Sequence, residues 1–134
     1  ISTFRAKFHY NFWRPYTAIR WADDGNPLTQ SDPTWTTYIT TPPYPDYPCG
    51  LPTTMGAGAQ VMRSYFGTDQ LPYTLTAAGI TRSYTRLSDA ESDSVDARVY
   101  GGIHFRFGCE AGVVQSRKVG KWVYHTQLRA NHRR

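Results

Sequence analysis

The sequence has no apolar run approaching the roughly 18 residues that a membrane-crossing helix requires. Its opening, IleSerThrPheArg, also lacks the charged start and apolar stretch of an export signal. These absences point to a soluble chain with no membrane partner; its location stays open, a secreted or periplasmic one being compatible. Cysteine is scarce. Cys49 and Cys109 are the only two, and neither has a second Cys or a His at metal-ligand spacing, so no zinc pattern is present. Internal repeats and low-complexity tracts are absent as well, which removes repeat architectures. No initiator Met is present and only six residues precede Lys7. That leaves open a fragment or one processed half of a longer protein, with the missing N-terminal half or a second copy as partner.

What is present suffices for one domain: 134 residues with 40% hydrophobic content can build a modest core. Lys and Arg number 15 against 10 Asp and Glu, a net charge of +5. Much of the excess is terminal, in Arg129, His132, Arg133 and Arg134, which read as a solvated tail over 129–134. Nucleic-acid binding is set aside, because Tyr10, Phe12 and Trp13 are better explained as helix core than as stacking platforms.

Between Thr3 and Trp21 Gly is absent, and the placing of Phe4, Phe8, Phe12 and Trp13 predicts a helix bent or stopped near Pro15. Six prolines between Asp23 and Pro48 defeat both regular periods and predict a long ordered loop. Loops of that length in compact domains tend to be functional, so this one is expected to wrap over a pocket. A second helix is expected from Pro52 to Phe66, its Gly56, Ala57, Gly58 and Ala59 packing closely against another helix. Leu71 to Ala78 is ambiguous between a short strand and an irregular connection. A third helix should run from Ser88 to Tyr100, with Ser88 capping and Glu91 completing a capping box. Gly101 and Gly102 break it, and a last helix follows to about Leu128 with Val114, Val119, Trp122 and Val123 as its apolar members. The class is all-α.

Three segments carry chemistry. Lys7 and Arg14 are seven apart, so on one helix they project from the same side, and stacked cations favour an oxyanion between them. In TyrProCysGlyLeuProThrThr at 47–54, Gly50 comes just before a helix start, where backbone amides bind tetrahedral anions. In AlaArgValTyrGlyGlyIleHisPheArgPhe at 97–107, a bend at the glycine pair can bring Arg98 and His104 to one pocket. Each alone has an ordinary structural explanation: a solvated basic face, a helix cap and a structural His.

Together they resemble the three motifs of the vanadium-dependent haloperoxidases and PAP2-type acid phosphatases. LysPheHisTyrAsnPheTrpArgPro is similar to the first motif, a Lys, six residues and ArgPro. ProCysGlyLeu stands where the second has ProSerGlyHis, and ArgValTyrGlyGlyIleHis is similar to the third. The likeness continues through AspProThrTrp, ThrProProTyrProAspTyrPro, TyrPheGlyThrAsp and HisPheArgPhe, towards the bacterial haloperoxidase-like branch. It implies the C-terminal half of that family's helical bundle and an oxyanion site for vanadate, or for phosphate in its place. Lys7, Arg14 and Arg98 would neutralise the oxygens, with the Gly50 amide as a further donor. His104 would be the axial residue, bonded to vanadium in a peroxidase or attacking phosphorus in a phosphatase. Because vanadate mimics a phosphoryl transition state, one site can serve both chemistries.

The pattern also departs from the family. Cys49 replaces the second-motif Ser, and a thiol is the weaker donor. Leu51 replaces the His that serves as acid and base, a contribution of typically about 100- to 10,000-fold. His9 is a poor substitute, pointing away from Lys7 and Arg14 on a helix, and Thr53 and Thr54 are not bases near neutral pH. The Asp that normally orients the axial His would fall at Gly108, with Glu110 the candidate to reach His104 instead. The expected functions are accordingly a halide-oxidising peroxidase with altered acid–base catalysis, an acid phosphatase-like phosphohydrolase, or a non-catalytic anion-binding or structural relative. Convergence of the motifs would bring Cys49 and Cys109 together within disulfide reach, although two unrelated reduced thiols is the preferred reading.

Overall fold

A computed structural model describes residues 1–21 and 25–128; the basic tail and the start of the proline-rich loop lie outside them. Among the described residues five helices form the framework: α1 Ser2–Tyr10, α2 Pro15–Trp21, α3 Gly50–Phe66, α4 Leu87–Tyr100 and α5 Arg106–Gln127. One antiparallel hairpin, β1 Gln70–Ala77 and β2 Ile80–Arg86, joins α3 to α4. The fold is a helical bundle with this small sheet appended.

The first helix stops earlier than the proline suggests. Asn11 ends α1 in the left-handed conformation at φ 44°, which its short amide side chain tolerates, and its N–H caps the Lys7 carbonyl at 2.9 Å. The chain is irregular through Arg14 before α2 restarts, so Lys7 and Arg14 do not share one helix face. Tyr10, Phe12 and Trp13 are exposed and not helix core; Phe12 instead packs edgewise on Phe105 and Phe107.

The connection after α3 is a hairpin, which resolves the ambiguity over 71–78 in favour of a strand and adds 80–86. Its two-residue turn puts Ala78 at φ 50° and Gly79 at φ 77°, the paired positive values that match strand twist. Tyr73 stacks on Tyr84 across the ladder at 5.3 Å. A turn without AsnGly or AspGly carries a weak sequence signal, which is why β2 goes unread. The start of α4 differs too. It begins at Leu87, and the Asp89 carboxylate accepts the Arg86 N–H at 3.1 Å. Ser88 does not cap: its Oγ donates to Asp69 at 2.6 Å, and Glu91 is buried in ion pairs with Arg63 and Arg117.

The organising contact is α3 against α5. The buried positions of α5 are Gly108, Cys109, Gly112, Val113, Ser116 and Gly120, a small-residue stripe at four-residue spacing. The expected apolar members Val114, Val119 and Trp122 are exposed and only Val123 is half-buried, because close backbone approach needs small side chains there and not large apolar ones. A Cβ at Gly56 would lie 2.2 Å from Ser116 Oγ, and one at Gly120 would lie 2.6 Å from the Ala57 carbonyl oxygen. Gly58, by contrast, faces open space. This approach sets the first turn of α5 beside the N-terminus of α3, and the buried apolar cluster there is Cys49, Val95, Cys109 and Val113.

Candidate functional site

The proline-rich loop folds back on the first motif. Asp46 N–H donates to Phe12 O at 2.9 Å, and Cys49 N–H to Gly108 O at 3.0 Å, so the segment 44–49 is stitched to both sides of the site. Lys7 is fully buried, and its ammonium donates to the carbonyls of Pro45 at 2.9 Å and Asp46 at 2.8 Å. Arg14, also buried, donates from Nε to Tyr44 O and from Nη1 to Ile103 O, both at 2.7 Å. The Tyr44 ring lies beside both cations, 5.2 Å from Lys7 Nζ and 4.9 Å from Arg14 Cζ.

His104 is buried between these groups. Its Nε2 faces Arg14 Nη1 at 3.4 Å, and its Nδ1 lies 2.7 Å from Asp46 Oδ1. The second approach is a charge contact and not a straight hydrogen bond, since neither Asp46 oxygen nor Nδ1 has an in-line partner. Asp46 is therefore the carboxylate beside His104, and Glu110 is exposed. A Cβ at Gly108 would lie 2.9 Å from Asp46 Oδ2. The carboxylate that enters from the loop occupies the space that a side chain at 108 would need. Asp46 escaped sequence reasoning because it is remote from His104 in the chain; its one signal was its place in the ProTyrProAspTyrPro segment leading into the second motif.

Cys49 is the N-cap of α3 and makes no side-chain cap bond, so the first-turn amides beginning at Gly50 have no side-chain cap and no partner within the helix. Leu51 is exposed, and so is His9, as its expected direction requires. Thr53 Oγ1 donates to Cys49 O at 2.6 Å and is not free to serve the site. Arg98 is half-buried near Cys109. Arg14 Nη2 and Arg98 Nε are buried donors without partners. Such orphaned cationic donors beside a helix N-terminus and a buried imidazole suit an oxyanion, so the residues present fit vanadate or phosphate.

Burial, reinforced by the charge of Arg14, lowers the Lys7 ammonium to about 8. Burial also holds Arg14 below its ordinary value. For His104 burial acts downward, but the Asp46 and Cys49 contacts outweigh it and the net shift is upward. The Cys109 thiol donates to Cys49, and with His104 and Lys7 it brings Cys49 down to about 6 against its burial. Cys109 itself is pushed well up by the neighbouring sulfur. The two thiols are free and fully buried. They are neighbours and not unrelated.

The Lys7 value carries a pH prediction. Its folded value lies below the ordinary 10.5, so the unfolded chain binds more protons between about 8 and 10.5 and stability of the anion-free protein rises with pH there. Anion binding runs the other way, because the cation is lost. Protection by sulfate, whose charge is constant over this range, should weaken as pH rises through about 8. Thermal shifts at fixed ionic strength measure it, and flat protection from pH 7 to 10 would remove Lys7 from the site.

The arrangement of elements defines a helical-bundle domain, and the comparison with known proteins gives its family. The profile of the VCPO second helical-bundle domain matches residues 1–132. The chain belongs to that family, and is a relative of the vanadium haloperoxidases. It is 36% identical over 76 residues to vanadium chloroperoxidase of Curvularia inaequalis, a match covering 49% of this chain and 12% of that protein. A bacterial vanadium-dependent iodoperoxidase superposes with a TM-score of 0.75 at 30% identity, over 89% of this chain and 28% of that one. A holo-type bacterial vanadium-dependent chloroperoxidase shares the fold at a TM-score of 0.76 and 21% identity, over 93% and 32%. The chain thus spans about a third or less of each relative's length. Among the described residues no helix is long and apolar enough to cross a membrane.

Proposed function

We propose that this chain forms the oxyanion-binding part of a vanadium haloperoxidase-like protein, holding vanadate, or phosphate in its place. The observation that carries the reading is the pair of buried, partnerless guanidinium donors, Arg14 Nη2 on the side chain beside His104 and Arg98 Nε near Cys109. Arg14 and Arg98 neutralise the oxygens, Lys7 adds positive charge from behind the loop, and the Gly50 amide donates at the helix start. Cys49, brought down to about 6, donates only while its thiol is protonated, so its share in anion binding falls as pH rises through that value. His104 would hold the group through a ring nitrogen, with the Asp46 carboxylate beside the ring keeping it basic. When bound, vanadate would supply the Lewis-acid chemistry that lets hydrogen peroxide oxidise a halide. Water exclusion and proton transfer are the protein's share, and Leu51 leaves the second weak.

Arg98→Ala is expected to abolish the thermal protection that orthovanadate gives the parent protein. Unchanged protection would sink the assignment. Leu51→His should raise turnover about tenfold or more in a halide-oxidation or phosphatase assay, because it restores a proton-transfer group in the family's position. If the variant binds vanadate and gains nothing, the alternative stands: an anion-binding relative without catalysis, a reading favoured by Leu51.

A further inference from the structure

Cys49, Cys109 and His104 each place a ligand atom within 4.8 Å of the other two, and all three residues are buried. The short-range spacing rules miss this set because Cys49 comes from one helix start and Cys109 from another, 60 positions later. The fold makes the pair deliberate in a physical sense. Gly112 packs on Cys49 O and Gly56 on Ser116, so α5 lies against the N-terminus of α3 and its first turn delivers Cys109 to Cys49. The Cys49 N–H bond to Gly108 O locks that approach. His104 enters from the α4–α5 connection, its Nδ1 in the 2.7 Å charge contact with the Asp46 carboxylate.

We propose that these three side chains form a site for a thiophilic divalent cation, Zn2+ by donor class. Two sulfurs and one imidazole nitrogen are the borderline-soft set that selects zinc over magnesium or calcium. Tetrahedral bonding at Zn–S distances near 2.3 Å calls for S–S and S–N separations of roughly 3.5–3.8 Å, so contraction by about an ångström from the 4.8 Å limit closes the site. Three protein donors leave one position open, the count of an accessible site and not of a closed structural one. Binding releases the Cys109 proton, and the Cys49 proton where it is still held, to solvent, so two thiolates balance the ion's charge. Zinc and vanadate both need His104 in the reading above, so they exclude each other. The site does not depend on that reading, because two of its donors come from the thiols.

The test uses the reduced protein and Co2+ as a spectroscopic stand-in for Zn2+. One equivalent should produce thiolate-to-cobalt charge-transfer absorption, and added Zn2+ should bleach it. Cys109→Ser, which leaves every proposed vanadate contact in place, should bind Co2+ about 100-fold more weakly or worse and still be protected by vanadate. Loss of cobalt absorption with vanadate protection kept supports the metal site and the oxyanion reading together. Loss of vanadate protection in a folded variant counts against the oxyanion reading alone. In the parent protein, stoichiometric Zn2+ should shield both cysteines from alkylation, a readout that needs no variant. Absent charge-transfer absorption, absorption unchanged in Cys109→Ser, or thiols equally alkylated with and without Zn2+ would each overturn the proposal.

Discussion

Replacing Asp46 with Ala is expected to destabilise the protein by about 3–5 kcal/mol, the usual cost of stripping the counter-charge from buried ions. Asp46 is wholly inaccessible, Lys7 is equally buried, and Arg14 is only 5% exposed. The Asp46 charge acts favourably on both cations and on His104. Urea denaturation at pH 7 gives the number, and a loss below about 1 kcal/mol would falsify the view that Asp46 is the internal counter-ion. Phosphate offers a second arm. It supplies the missing negative charge, so it should restore more stability to the variant than it adds to the parent protein. Asp46→Asn keeps the shape, and there the His104 imidazole should titrate lower than in the parent, followed by NMR through its ring protons.

Gly112→Val should cost about 3 kcal/mol, at the upper end of ordinary overpacking. A Cβ at this position would meet Cys49 O and Thr53 Oγ1, each at 2.8 Å. One contact is backbone and the other is tied to it by a 2.6 Å hydrogen bond, so neither can yield and α5 must back away. The displacement separates the two thiols, and the variant should therefore lose cobalt absorption even where it remains folded. Gly58→Ala is the control. It meets nothing within 4 Å and should stabilise α3 by about 0.5–1 kcal/mol through helix propensity alone. Equal melting temperatures for Gly112→Val and the parent protein would show that the α3–α5 approach is looser than described.

The linear sequence was enough for the helical class, for α3 and α5 within a few residues, and for the break at Gly101 and Gly102, because periodicity, proline and glycine act locally. The motif spacing likewise marked Lys7, Arg14, Arg98 and His104 as one set, and the structure brings Lys7, Arg14 and His104 around the loop 44–46 with Arg98 near Cys109. Their route to convergence was not legible. Lys7 and Arg14 meet through the turn at Asn11 and not along one helix, and a left-handed Asn leaves no periodic trace. The hairpin, the ion pairs of Glu91, the carboxylate partner of His104 and the thiol pair all depend on contacts between distant segments. Asp46 lies 58 positions before His104, and Cys49 lies 60 before Cys109. Only the packing of a small-residue helix face, which lets two backbones come within reach of each other, decides that such groups share one buried volume.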